Sequence, residues 1–321
     1  MKPWKTAMLA AALAAAPLQL VAQGYPAKPV HVIISFTPGS ATDIVGRLVT
    51  QKLAELWGQP VLPENRAGAG GSVGSAVVAK APPDGYTLLI NSAAHVANPG
   101  IYAQLPYDTL KDFVDIAPLA GQPNVLVVAA DSKIRTIADL VAEAKARPGQ
   151  MNFGHAGVGS GTHLNTEKLI AATGIKVTQI PYKGTPEVIQ DILGGRTTTY
   201  LAPISAAIGM IKGGKLRALA VSSLKRNPQL PEVPSIAESG IPGFDYILWF
   251  GLWGPAGMPA DLVDKINKDV NRAVADSAVA EKLVGLGNAT MHMTQSEFAR
   301  YVRTELADTT SILKLAGVKP Q

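Results

Sequence analysis

Apolar residues run along this chain in two rhythms. Residues 30–36 form a nearly unbroken apolar run of strand length, and in residues 44–56 the apolar positions recur every three or four residues. The first pattern predicts a buried strand and the second an amphipathic helix. The pairing repeats with an extended piece at 60–63, a helix at 72–80, a turn at Pro82-Pro83-Asp84-Gly85 and a strand at 86–91. Farther on, strands are expected at 125–130, 152–156, 176–180, 197–201 and 216–222. Helices are expected at 137–146, stopped by Pro148-Gly149, at 164–172, and at 186–193, stopped by Gly194-Gly195. The tail, 260–284 and 295–315, reads as mostly amphipathic helix. Alternation of this kind predicts an α/β fold, a mainly parallel sheet with helices on both faces. No internal repeat of fixed period and no low-complexity segment follows residue 22.

The first 22 residues break this rhythm. Met1-Lys2-Pro3-Trp4-Lys5 is short and basic, residues 7–16 are rich in Ala and Leu, and Leu20-Val21-Ala22 ends on a small residue. That is the three-part layout of a secretory signal, with cleavage expected after Ala22 and the mature chain exported. The apolar run is shorter than the ~20 residues a membrane span needs. Removing Lys2 and Lys5 lowers the formal net charge from +5 to +3. The remaining Lys and Arg are scattered, without a basic stripe or interleaved aromatics, which argues against nucleic acid. There is no cysteine, so disulfides, thiolate metal sites and a cysteine nucleophile are excluded. The mature length, about 300 residues, suits two domains or one large one.

Candidate chemistry concentrates in two turns. Thr37-Pro38-Gly39-Ser40-Ala41-Thr42-Asp43 lies between the first strand and helix, and Gly157-Val158-Gly159-Ser160-Gly161-Thr162-His163 precedes the helix at 164–172. A helix start leaves its first N–H groups unpaired and carries partial positive charge, so each turn is suited to an anion. Two such turns far apart in the chain suggest two lobes gripping one acidic small molecule. In the first turn Thr42 or Asp43 also suits a helix cap, which would hold the loop that presents the donors. His163 with Glu167 four residues on is half a metal site, but no second pair with suitable spacing accompanies it.

Several segments together resemble the receptors of tripartite tricarboxylate transporters, also called Bug proteins. They are Tyr25-Pro26-Ala27-Lys28-Pro29-Val30 with Phe36-Thr37-Pro38-Gly39, Glu64-Asn65-Arg66-Ala67-Gly68-Ala69-Gly70-Gly71, and Pro83-Asp84-Gly85-Tyr86-Thr87-Leu88-Leu89. Farther along come the turn from Gly157 through Leu164, then Pro181-Tyr182-Lys183-Gly184, Gly214-Lys215-Leu216-Arg217-Ala218-Leu219-Ala220 and Leu230-Pro231-Glu232-Val233-Pro234. The resemblance implies a periplasmic solute receptor whose two α/β lobes close on a carboxylate like a flytrap. It implies no cofactor, no metal, a monomer, and a two-component membrane permease as partner. Lobe 1 is expected at 23–123 and 224–321 and lobe 2 at 124–223, with 125–130 and 216–222 as crossing strands.

The expected ligand-binding residues follow from the turns and the resemblance. Phe36, Gly39, Ser40, Ala41, Thr42 and Asp43 come from the first turn; Ser92, Ala93 and His95 come from an expected loop at 92–98. Gly157, Val158, Gly159, Ser160, Gly161, Thr162 and His163 come from the second turn, with Tyr182 as an aromatic wall. Ala202 and Pro203 stand where the family often has Asp-Asn, which shifts the expectation from amino acids toward neutral-bodied carboxylates. Two near-misses drop out: Gly209 through Lys215 lacks the Ser or Thr of a phosphate loop, and Gly68-Ala69-Gly70-Gly71 does not match the dinucleotide pattern. No His-Glu-x-x-His motif occurs. The alternatives left open are a secreted α/β enzyme acting on a small acid and a receptor that feeds a signalling sensor.

Overall fold

A computed structural model of the chain describes residues 24–315 and residue 320. The expected signal segment, residues 1–22, lies outside the described residues. In chain order the elements are β1 (Val30–Ile34), α1 (Ala41–Trp57), β2 (Val61–Asn65), α2 (Ser72–Ala79), β3 (Thr87–Ser92), α3 (Ala94–Ile101), β4 (Phe113–Ala129) and α4 (Ile137–Ala146). Then follow β5 (Asn152–His155), α5 (Gly161–Thr173), β6 (Thr178–Pro181), α6 (Thr185–Leu193), β7 (Thr199–Pro203), α7 (Ile204–Lys212) and β8 (Leu216–Val221). The chain closes with β9 (Ile247–Pro255), α8 (Ala260–Ala275), α9 (Ser277–Gly285), β10 (Ala289–Thr290) and α10 (Gln295–Leu315).

Local chemistry accounts for most of these boundaries. Helix α1 begins at Ser40, whose hydroxyl accepts the Asp43 N–H, and ends at Gly58 in the left-handed region at φ 62°. Its buried stripe Val45, Val49 and Leu53 recurs every four residues and faces the sheet. Helix α4 begins with a reciprocal capping box between Thr136 and Asp139.

The strands form one continuous sheet in the order β2-β1-β3-β9-β4-β7-β5-β6, with β8 and β10 also paired to β4. Strand β4 is the spine. Its first part, Phe113 to Pro123, pairs antiparallel with β9, and Asn124 to Ala129 pairs antiparallel with β7 and β8. Around the first part lies lobe 1, where β1 pairs in parallel with β2 and β3. Around the second lies lobe 2, where β5 pairs in parallel with β6 and β7. In lobe 2 alternate residues of β4 go to opposite faces: Val125 and Val127 join one apolar cluster, Leu126 and Val128 another.

Several elements depart from the sequence expectation, the short α7 and β10 among them. The strand expected at 125–130 is only the end of the 17-residue β4, whose inner prolines, Pro118 and Pro123, interrupt the strand pattern. Residues 247–255, for which the pattern predicts no element, form β9, and residues 94–101, within and beyond the expected loop at 92–98, form α3. Helix α3 contains Pro99, a local breaker overridden by burial of Ala94, Val96, Ala97 and Ile101. The segment 224–246, expected in lobe 1, packs instead on lobe 2, with Leu230 and Val233 in one of its clusters and Ile236 and Phe244 in the other. The chain passes to the lobe 1 sheet only with β9.

Candidate functional site

The first turn is held from behind by a carboxylate. Gly39, at φ 76°, donates its N–H to Asp43 Oδ2 at 2.9 Å. Ser40 N–H donates to Thr37 O at 3.1 Å, and Asp43 N–H donates to Ser40 Oγ at 3.3 Å. Arg47 Nε and Asn65 Nδ2 both donate to Asp43 Oδ1 at 2.8 Å. Asn65 also donates to Phe36 O at 2.9 Å and accepts from Arg47 at 2.7 Å. Asp43, expected both as a ligand-binding residue and as a cap holding the loop, is buried and bonded by Gly39, Arg47 and Asn65. What remains for a ligand is the N–H of Ala41 and of Thr42, the first two residues of α1, which have no acceptor within the helix.

The second turn repeats this construction. Gly159, at φ 81°, donates its N–H to His163 Nδ1 at 3.3 Å. Ser160 N–H donates to Gly157 O at 3.1 Å, and His163 N–H donates to Ser160 Oγ at 3.2 Å. Gly161 and Thr162 open α5 and are left with unpaired N–H groups. Gly39-Ser40-Ala41-Thr42-Asp43 and Gly159-Ser160-Gly161-Thr162-His163 are therefore one local motif used twice. The signal was legible as Gly-Ser-small-Thr, but it is five residues long and has no fixed period. One difference separates the copies. Thr162 Oγ1 accepts the Ala156 N–H at 3.0 Å and lies 3.0 Å from Ser160 Oγ. Among the described residues the Thr42 hydroxyl has no such partner.

The turns meet around a cavity of about 20 Å³, lined by Phe36, Ser40, Ala41, Thr42, Ser92, Ala156, Ser160, Gly161, Thr162, Thr185, Pro203 and Leu248. On that measure it holds a group about the size of one water. Its polar lining is hydroxyl and backbone N–H, without Lys, Arg, Asp or Glu. Phe36 and Ala156, which occupy equivalent places in the two motifs, pack together and also line a larger outer cavity of about 490 Å³. That cavity opens past Gly70, Tyr102, Gly157, Val158, Tyr182 and Lys183.

Several expected residues stand elsewhere. Ser92 lines the inner cavity, while Ala93 is buried behind it. His95, expected in the cleft, is fully buried; its ring lies 4.7 Å from those of Phe113 and Trp253 and 6.1 Å from that of Tyr107. Burial pushes its pKa down to about 3. Tyr182 borders the outer cavity, with its hydroxyl tied to Asp191 at 2.8 Å and Thr197 at 2.7 Å. Ala202 points into a lobe 2 cluster and only Pro203 reaches the inner cavity. Gly39, Gly159 and His163 lie behind the lining; Gly157 and Val158 face outward. Three lining residues were missed: Ala156, just after β5, Leu248, in β9, and Thr185, which opens α6 with its hydroxyl 3.0 Å from Tyr200 OH.

The second turn has a titratable backing. His163 Nε2 lies 3.5 Å from Glu167 Oε1, which accepts from Gln179 at 2.6 Å. The His155 ring stands 4.6 Å from that of His163. Burial lowers the pKa of both rings, that of His155 to about 4 with the neighbouring His163 adding to the shift. Among the described residues no three His, Asp, Glu or Cys side chains gather as a metal site would require.

The lobes touch at named points. Tyr102 OH donates to Val158 O at 2.8 Å. A Cβ on Gly70 would lie 2.5 Å from Val158 O, one on Gly161 would overlap Leu248, and one on Gly184 would overlap Thr37 Oγ1. These approaches are closer than any side chain allows, so the lobes are shut on each other.

A sequence profile described as the tripartite tricarboxylate transporter family receptor matches residues 45–318. BugT of Bordetella pertussis is 34% identical over 313 residues, which cover 97% of this chain and 95% of BugT. The solved structure of R. palustris Rpa4515 with adipate superposes with a TM-score of 0.89 at 32% identity, covering 92% of this chain and all of that one. The periplasmic binding protein BugD superposes with a TM-score of 0.88 at 32% identity, covering 92% and 100% of the two chains. With the two-lobed fold and the profile match over most of its length, the chain belongs to the tripartite tricarboxylate transporter receptor family.

Proposed function

We propose that this protein is a periplasmic receptor that closes its lobes on one carboxylate group of a small acid and passes the acid to a two-component permease. The observation that carries this reading is the convergence of four unpaired N–H groups, of Ala41, Thr42, Gly161 and Thr162, on one small cavity between the lobes. Hydrogen bonds to a charged group are worth about 1.5–3 kcal/mol each. A helix terminus adds about 0.3–1 kcal/mol, so donor geometry sets the affinity. Because each lobe supplies half of the donors, the bound anion favours the closed state over the open one.

The cavity also selects the body of the ligand. No carboxylate lines the inner cavity, where an ammonium group beside the bound carboxylate would meet only hydroxyls and apolar groups; the carboxylate Glu187 borders the outer cavity, together with Lys183. This supports acids whose second substituent lies in the outer cavity. Adipate, the acid bound by Rpa4515, is the first candidate to test. The family supports a receptor over an enzyme, and the resemblance of residues 1–22 to a secretory signal supports export.

Proline at Ala41 tests the mechanism cleanly. The position is the first of α1, where proline fits, and the preceding Ser40 already has the extended backbone proline demands. Ala41→Pro removes one donor and should weaken adipate binding about 10- to 150-fold by calorimetry. Unchanged affinity would refute the backbone clamp.

A further inference from the structure

We propose that Asp43 and His163 are matched positioning residues, one per lobe, each fixing the aim of its turn without touching the ligand. The inference rests on the carboxylate-receptor reading above and assigns how the donors are held. Each residue is the third of its helix, and each accepts the N–H of the glycine four positions earlier, Gly39 at 2.9 Å and Gly159 at 3.3 Å. Both are buried and neither lines the inner cavity. Both glycines are left-handed, so the bond closes a tight loop whose next residues are the serine cap and the two free N–H donors. Without the acceptor, a buried N–H loses its partner and the loop loses the bond that sets its direction.

The supports of the two acceptors are opposite in charge. Asp43 is braced by Arg47, four residues on, and by Asn65. His163 faces Glu167, four residues on, which is braced by Gln179. The Gly159 N–H occupies Nδ1, so the ring proton sits on Nε2 toward Glu167, and the ring is the neutral acceptor. A carboxylate at position 163 would supply the same acceptor, but it would face Glu167 where Asp43 has Arg47. The cost of that substitution is therefore electrostatic and is removed by supplying the cation.

Two measurements on the full mature chain test this. In the ligand-free protein, nitrogen NMR should show His163 protonated on Nε2 alone, and the Gly159 amide should exchange slowly. By calorimetry with adipate, His163→Ala should bind about 3- to 10-fold more weakly, and His163→Asn, which restores a neutral acceptor, should recover to within about twofold. His163→Asp should remain weak, and His163→Asp with Glu167→Arg should recover. A His163 protonated on Nδ1, an alanine variant of wild-type affinity, or an asparagine variant as weak as alanine would each overturn the proposal. If wild-type protein binds no adipate, the ligand reading fails, and the tautomer with the Gly159 exchange rate decides the positioning bond separately.

Discussion

Gly184 is a place where closure of the lobes can be tested apart from ligand contact. Its backbone, φ −173° and ψ 176°, is extended and open to any residue. The constraint comes from the other lobe: an added Cβ would overlap Thr37 Oγ1 and lie 3.0 Å from Thr37 Cβ. Relief requires the lobes to part by about an ångström or Thr37 to leave its rotamer, and overpacking of this kind costs about 1–3 kcal/mol. Gly184 does not line the inner cavity, so the cost falls on the closed state. Gly184→Ala should therefore weaken adipate binding about 5- to 150-fold, while the ligand-free melting temperature moves by no more than about 2 °C. Calorimetry and differential scanning fluorimetry read the two quantities. Thr37→Ala removes the overlapping hydroxyl, whose oxygen has no hydrogen-bond partner in the structure, and should restore most of the affinity in the double variant. Wild-type affinity in Gly184→Ala, or a double variant as weak as the single one, would refute the steric argument.

Three further outcomes are expected. Tyr102→Phe removes the bond to Val158 O across the lobes and should speed adipate release about 2- to 10-fold in stopped-flow dissociation; unchanged release would show that this bond does not hold the closed state. Asn65→Ala removes the brace shared by Phe36 O, Asp43 and Arg47 and should cost about 1–3 kcal/mol of stability in urea unfolding, with a loss of adipate affinity; loss of stability with full affinity would separate the brace from the clamp. Stability should also fall on acidification. His95 and His155 stay neutral in the fold to about pH 3 and 4 but are protonated when unfolded below about 6.5, so each costs stability as pH falls through that window. Asp115, raised to about 6 by burial, works the other way, because its protonated form is favoured in the fold. His163, also lowered by burial, adds to the loss, and Glu305, raised by burial, opposes it; the net expectation is a fall in stability between pH 6 and 4, and urea unfolding that shows a rise in that range would contradict it.

Short-range chemistry was legible in the sequence. The apolar periods of 44–56 and 137–146 and the glycine stop after residue 193 depend on neighbours a few positions away. They placed the helices and, with them, the two turns that carry the donors; the cap of α1, expected at Thr42 or Asp43, is Ser40. The family resemblance added the two-lobed plan. What the chain could not display along its length is which atoms of those turns face the cleft. For Asp43 the sequence left ligand contact and a loop-holding cap both open, and for His163 it suggested ligand contact; the left-handed glycines bring Gly39 and Gly159 N–H onto them. His95 stands beside cleft residues in sequence, yet α3 turns its ring into the cage formed by Tyr107, Phe113 and Trp253. Leu248 reaches the inner cavity because β9 enters the sheet antiparallel between β3 and β4. Gly184 is required only because Thr37, far away in the chain, arrives from the opposite lobe. Apolar periods and glycine stops are set by local backbone geometry, so sequence determined them by itself; burial, strand register and lobe contact arise between distant segments, so only the tertiary structure decided them.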